Sequence, residues 1–238
     1  EREVPRQLVG FDFDCTLTVK HFFKVFAWGY AQGGVGAHPH CQAMADWCKE
    51  NGVKDAFGRG ISGMGGEDSL NEALDDFQRH AGDEAFRKLF REVFLGGEER
   101  IQLIAEWLAK MHKRGVDFAI ITAGTSTAVL RGLATAPEWM PFFPSNRVWD
   151  TQQGRHSTRG VMCQKVLVLR DVCPTASRIL LVDDSSKRDS PPEWSLTTAQ
   201  VDIYDGDLPY ESAGVHKELL ADIEAALLGA GPEEEDEE

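Results

Sequence analysis

The chain has 238 residues, with 25 Lys+Arg against 39 Asp+Glu, a formal net charge of −14, and hydrophobic residues make up 42% of it. That apolar share can build a sizeable core and excludes a mostly disordered chain; the length suits one large domain or a core domain carrying an insert. The acidic balance argues against a nucleic-acid surface, which needs stripes of Lys and Arg, and no stretch reaches the roughly 18 to 20 apolar residues of a membrane span.

In chain order, residues 1–7 carry charge where a signal peptide would carry an apolar run. Residues 8–11 form a short apolar run closed by Asp12-Phe13-Asp14, the pattern of a buried strand. Residues 20–96 read as a helical insert. Its segment 21–30 is rich in aromatics (Phe22, Phe23, Phe26, Trp28 and Tyr30), which fit an insert core. Helical patterns follow at 42–50, 69–80 and 83–94, with glycine-rich loops at 33–36 and 58–66. Gly63-x-Gly65-Gly66 lacks the preceding strand and following Lys-Ser/Thr of a phosphate-binding P-loop, so it reads as a loop. Residues 98–114 carry Ile101, Ile104, Leu108 and Met111 at helical spacing, and Gly115 stops them.

A second apolar run, 118–121, ends in Thr122-Ala123-Gly124, and a helix is expected over 127–134. Another is expected over 163–169, before a third run, 178–182, that ends in Asp183-Asp184. Residues 201–204 form a weaker fourth run, and 216–228 a last amphipathic helix. Residues 229–238 read as a disordered acidic tail. Near-continuous apolar strands alternating with helices predict an α/β fold with an open parallel sheet covered on both faces. Five cysteines (15, 41, 48, 163 and 173) form no CxxC pair and fit reduced thiols in an intracellular protein. The spacing of His38, His40, Cys41 and Cys48 matches no common zinc pattern.

In open α/β sheets ligands bind at the carboxyl ends of strands, where the three strong runs place polar residues. Asp12 and Asp14, two apart, share one side of an extended chain. Where the chain leaves the sheet their roles can separate, one attacking while the other exchanges a proton. Lys20, His21 and Lys24 follow closely and read either as an exposed basic patch or as substrate contacts.

The run from Phe11 to Leu17 resembles the first motif of the haloacid dehalogenase (HAD) superfamily of phosphohydrolases. Thr122 fits its second motif, Lys165 its third, and Asp183-Asp184, with Asp189, its fourth, in the required order. The resemblance implies a three-layer Rossmann-like core (1–19 and 97–228) with a helical cap at 20–96. It implies Asp12 as the nucleophile of an aspartyl-phosphate, Asp14 as proton donor and then base, and Thr122 and Lys165 as phosphoryl contacts. It implies Mg²⁺ held by Asp12, the Asp14 carbonyl and the Asp183/Asp184 pair, with Asp184 favoured as the direct ligand because Ser185 follows it. The acid at position 14 is the phosphatase and phosphomutase pattern, since dehalogenases and ion-pumping ATPases lack it. Cys15 replaces a frequent Gly and reads as a packed thiol. The implied activity is Mg²⁺-dependent hydrolysis of a small phosphorylated metabolite in the cytoplasm, with no nucleic-acid or membrane partner. The cap position resembles the phosphoserine and phosphoglycolate phosphatase branches. A phosphomutase of the same chemistry and a non-catalytic binding module remain the alternatives.

Overall fold

The computed structural model describes residues 7–61, 67–150, 161–172, 174–184, 196–200 and 213–228. Five strands, β1 (Gln7–Phe11), β2 (Val116–Thr122), β3 (Val148–Asp150), β4 (Arg178–Asp183) and β5 (Leu196–Gln200), form one sheet in the order β3-β2-β1-β4-β5. Every neighbouring pair is parallel. The order reverses between β1 and β4, so a crevice opens beyond their carboxyl ends. Alternation along each strand feeds two apolar layers. Leu8, Ala119, Ile121, Ile179 and Leu181 pack with Val168 and Leu169 of the helix Val161–Val172. On the other face Val9, Phe11, Ile120, Leu180 and Val182 share a core with the helices Glu98–His112 and Lys217–Leu228. Gly10 is needed on the first face, because a Cβ there would stand 2.4 Å from the Leu169 side chain.

Helices are numbered in chain order: α1 (Lys24–Gly33, wound wider than an α-helix), α2 (Cys41–Glu50), α3 (Glu67–Ala81), α4 (Asp83–Leu89, prolonged by a wide turn, Phe90–Phe94), α5 (Glu98–His112), α6 (Ser126–Leu133), α7 (Val161–Val172) and α8 (Lys217–Leu228). Helices α1 to α4 lie between β1 and α5 and are built around aromatic rings. Phe22 meets Phe90 at 5.0 Å between centroids, Phe26 at 5.5 Å and Phe94 at 5.8 Å, all steeply inclined. Such edge-to-face pairs contribute beyond their area. Phe13 meets Phe22 at 6.0 Å, so this core runs on into the one beneath the sheet. Helix α3 reaches α6 through an Asn71–Thr127 hydrogen bond and an Asp75–Arg131 ion pair.

The structure departs from the sequence reading in several places. Trp28 is 41% exposed rather than part of the aromatic core, and the Lys24 ammonium lies 5.4 Å from its ring centre. Strands β3 and β5 lie where the sequence shows no apolar run. The run 201–204, Ser185, Asp189, the Gly63–Gly66 stretch and the acidic tail lie outside the described residues. Among the described residues no helix is long and apolar enough to cross a membrane.

Candidate active site

Asp12 follows β1 directly, and its N–H donates to the Val182 carbonyl at 2.9 Å, which carries the sheet register one residue past the strand. Asp183 closes β4 beside it and Asp184 follows. Lys165, on α7, reaches between the two strand ends: Nζ lies 2.6 Å from Asp183 Oδ2 and 3.0 Å from Asp12 Oδ1. Asp12, Lys165 and Asp183 are all buried. One carboxylate oxygen from each of Asp12, Asp183 and Asp184 lies within 4.8 Å of the others.

One ammonium among three carboxylates leaves excess negative charge in a dry place. Burial, and then the neighbouring carboxylates, push the Asp12 carboxyl well above the usual range against the opposing pull of Lys165. Burial and Asp183 also push Asp184 up. Attraction to Asp12 and Asp183 outweighs burial at Lys165, whose ammonium is held above its ordinary range. A hard divalent cation would relieve this repulsion. The donor set is all oxygen, as Mg²⁺ requires, and Asp12 Oδ1 meets Lys165 as an ion pair without hydrogen-bond geometry. The residues present therefore fit Mg²⁺.

The Asp14 carboxylate stands outside this cluster. Its Oδ1 accepts the Phe23 N–H at 3.1 Å and lies 3.3 Å from His21 Nδ1, so its carboxylate faces the insert. The turn between them explains the separation: Asp14 is extended (φ −65°, ψ 127°) and Cys15 takes φ +59°. That left-handed conformation is the one glycine adopts without cost. Burial and the adjacent Asp14 push the Cys15 thiol up, so it stays protonated and packed. Thr18 holds the turn, its Oγ1 accepting the Cys15 N–H at 3.0 Å within donating reach of the Lys20 carbonyl at 2.8 Å. Thr122 ends β2, buried, and its Oγ1 accepts the Gly124 N–H at 3.0 Å, leaving its own proton to donate elsewhere.

Sequence reasoning missed several supports. Thr18 is one. Asp150, closing the unforeseen β3, accepts the Ser126 N–H at 3.2 Å and steadies the start of α6; an acid after Val148-Trp149 was the available signal. Lys20 is buried, not part of an exposed patch, and burial lowers its ammonium to about 8. His21 stands beside Asp14, its ring 5.7 Å from that of His38. The His40 Nδ1 accepts the His21 N–H, and the His38 Nδ1 accepts the His40 N–H. Both imidazoles, when neutral, therefore carry their proton on Nε2.

A family model for haloacid dehalogenase-like hydrolases matches residues 7–191. No curated protein matches the chain. Among solved structures it is similar to the magnesium-bound putative HAD-hydrolase YfnB from Bacillus subtilis (15% identity, TM-score 0.45, covering 95% of this chain and 100% of that one). It is also similar to a haloacid dehalogenase-like family hydrolase from Xanthomonas campestris (15%, 0.43, 94% and 96%). A third is cytosolic 5′-nucleotidase IIIB bound to cytidine (12%, 0.41, 94% and 88%). With its family model covering the sheet from β1 past β4, and with Asp12, Lys165, Asp183 and Asp184 gathered at the switch point, the chain belongs to the haloacid dehalogenase-like hydrolases.

Proposed function

We propose that the protein is a Mg²⁺-dependent phosphatase that hydrolyses a small phosphate monoester through an aspartyl-phosphate on Asp12. The observation that supports this most is the separation of the two acids: Asp12 sits with Lys165 and the acidic pair, while Asp14 faces the insert. In this reading an Asp12 oxygen bonds to phosphorus as the ester P–O bond breaks, and Asp14 gives its proton to the departing oxygen. Asp14 then takes a proton from water, whose oxygen attacks phosphorus, releasing phosphate and freeing Asp12. Lys165 offsets the charge of the phosphoryl group beside Asp12, and the Thr122 hydroxyl donates to a phosphoryl oxygen. When bound, Mg²⁺ would be held by Asp12, the Asp14 carbonyl and the Asp183/Asp184 pair, and would neutralise charge on the phosphoryl oxygens. Helices α1 to α4 act as a cap that excludes water, which favours a small metabolite over a phosphoprotein. Buried free thiols at Cys15, Cys41 and Cys48 support a cytoplasmic setting.

The test is phosphate release from a panel of small phosphate esters, with and without Mg²⁺, for the wild type and Asp12→Asn. Release that requires both Mg²⁺ and Asp12 is expected. Release that persists in Asp12→Asn would remove the nucleophile assignment, and no release from any ester by folded, Mg²⁺-loaded protein would remove the phosphatase reading.

A further inference from the structure

We propose that Arg100 is a positioning residue that fixes the Asp14 loop to the core at the point where the chain enters and leaves the insert. Arg100 is the third residue of α5. A cation in the first turn of a helix opposes the helix dipole, so its placement there needs another cause. The side chain supplies one. Nη1 donates to the carbonyls of Leu17 and Leu95, both at 2.8 Å; Nη2 donates to that of Thr16 at 3.1 Å; Nε donates to that of Val215 at 3.0 Å. Thr16 and Leu17 follow directly on Asp14 and Cys15, Leu95 ends the insert, and Val215 lies on the approach to α8. One planar fork thus joins three stretches of chain far apart in sequence, a geometry that the single ammonium of Lys cannot reproduce.

A second observation points the same way. The Val215 N–H donates to the Thr16 carbonyl at 2.9 Å. Beside it Gly214 takes φ +66°, and a Cβ there would stand 2.7 Å from the Thr16 oxygen and 2.9 Å from Arg100 Nη2. The 213–215 segment is therefore seated against the back of the Asp14 loop and leaves no room for a side chain. The Asp14 carboxylate, by contrast, is held by Phe23 N–H of the insert. It follows the insert while the Asp14 backbone is anchored to the core. Arg100 is what lets the insert adjust without dragging the Asp14 loop out of register.

The kinetic test rests on the phosphatase reading, in which Asp14 protonates the leaving group. Phenyl phosphate needs that proton and 4-nitrophenyl phosphate does not. For Arg100→Lys we expect kcat on phenyl phosphate to fall about 10- to 100-fold, with a fall of less than about threefold on the nitrophenyl ester and little change in KM. Guanidinium ion added to Arg100→Ala is expected to restore part of the lost rate; if that variant does not fold, the Lys variant decides alone. Equal losses on the two esters, or no loss on either, would overturn the proposal. Should the wild type hydrolyse neither aryl ester, the ester panel judges the phosphatase reading and amide exchange judges the clamp. Faster exchange at residues 15–19 and at Val215 in Arg100→Lys, with β1 and the rest of α5 unchanged, supports it. Unaltered exchange there overturns it.

Discussion

At the carboxyl end of the sheet, Asp12, Asp183 and Lys165 share a volume almost closed to water. In the insert, Phe22, Phe26, Phe90 and Phe94 pack ring against ring in an interior completed by apolar side chains such as Val25, Met44, Leu74 and Leu89, with no charge among them. In the first region backbone register places the charges: Asp12 and Asp183 are neighbours because β1 and β4 pair residue by residue from Gln7↔Arg178 to Phe11↔Val182. Such a cluster costs stability, which is what marks it as a candidate functional site. In the second region side-chain shape places the backbone, and the insert touches the site through few polar groups, chiefly Phe23 N–H and the His21 ring. The comparison shows one acid fixed by a strand and the carboxylate of the other held by the residues that lead into α1.

Asp12→Asn should separate the two regions most sharply. Turnover is expected to fall about 10⁴-fold, while the thermal midpoint of the metal-free protein stays level or rises because a buried like charge has gone; a lower midpoint would mean that the Asp12–Lys165 pair stabilises the fold. Phe22→Ala should instead cost about 3–5 kcal/mol in denaturant unfolding, since its ring lies at the junction of the two cores. A cost below about 1 kcal/mol would show that the rings repack without it.

The charged region should also carry a pH signature. The folded Asp12 carboxyl holds its proton to higher pH than the unfolded chain does. The contribution of Asp12 to metal-free stability is therefore present in acid and is lost as pH rises from the ordinary aspartate range towards neutrality. Melts across that range should show the decline in wild type, and Asp12→Asn should flatten it. The smallest effect is expected at the turn. Cys15→Gly exchanges a packed thiol for relief of a positive φ and should change stability by less than about 1 kcal/mol, whereas Cys15→Val should destabilise, as unfolding midpoints would show.

The legible parts of this molecule are those with strong local signals. The apolar runs at 8–11, 118–121 and 178–182 correspond to β1, β2 and β4, and the polar residue after each marks the site end of the sheet. Strand β3, with three residues, is too short for a periodic signal, and Leu196-Thr197-Thr198-Ala199-Gln200 reads as no buried run although it pairs with β4. The departure of Asp14 from Asp12 depends on a left-handed turn at a non-glycine residue, which propensity does not foretell. Arg100 was invisible for a related reason: its partners are main-chain carbonyls, and carbonyls have no sequence.

The hydrogen bond from Val19 N–H to the Phe94 carbonyl, at 2.8 Å, brings the two ends of the insert together. It bears on the order of assembly. Strand β1 pairs with β2 from Gln7↔Val116 to Phe11↔Ile120, so sheet nucleation must close a very long loop. If the insert has already formed its local helical contacts and joined its ends, the effective loop shrinks from roughly a hundred residues to roughly thirty, lowering the closure cost by about 1 kcal/mol. Pulse-labelled hydrogen exchange during refolding should then find α3 and α4 protected before β1, and the reverse order would mean that the sheet recruits the insert.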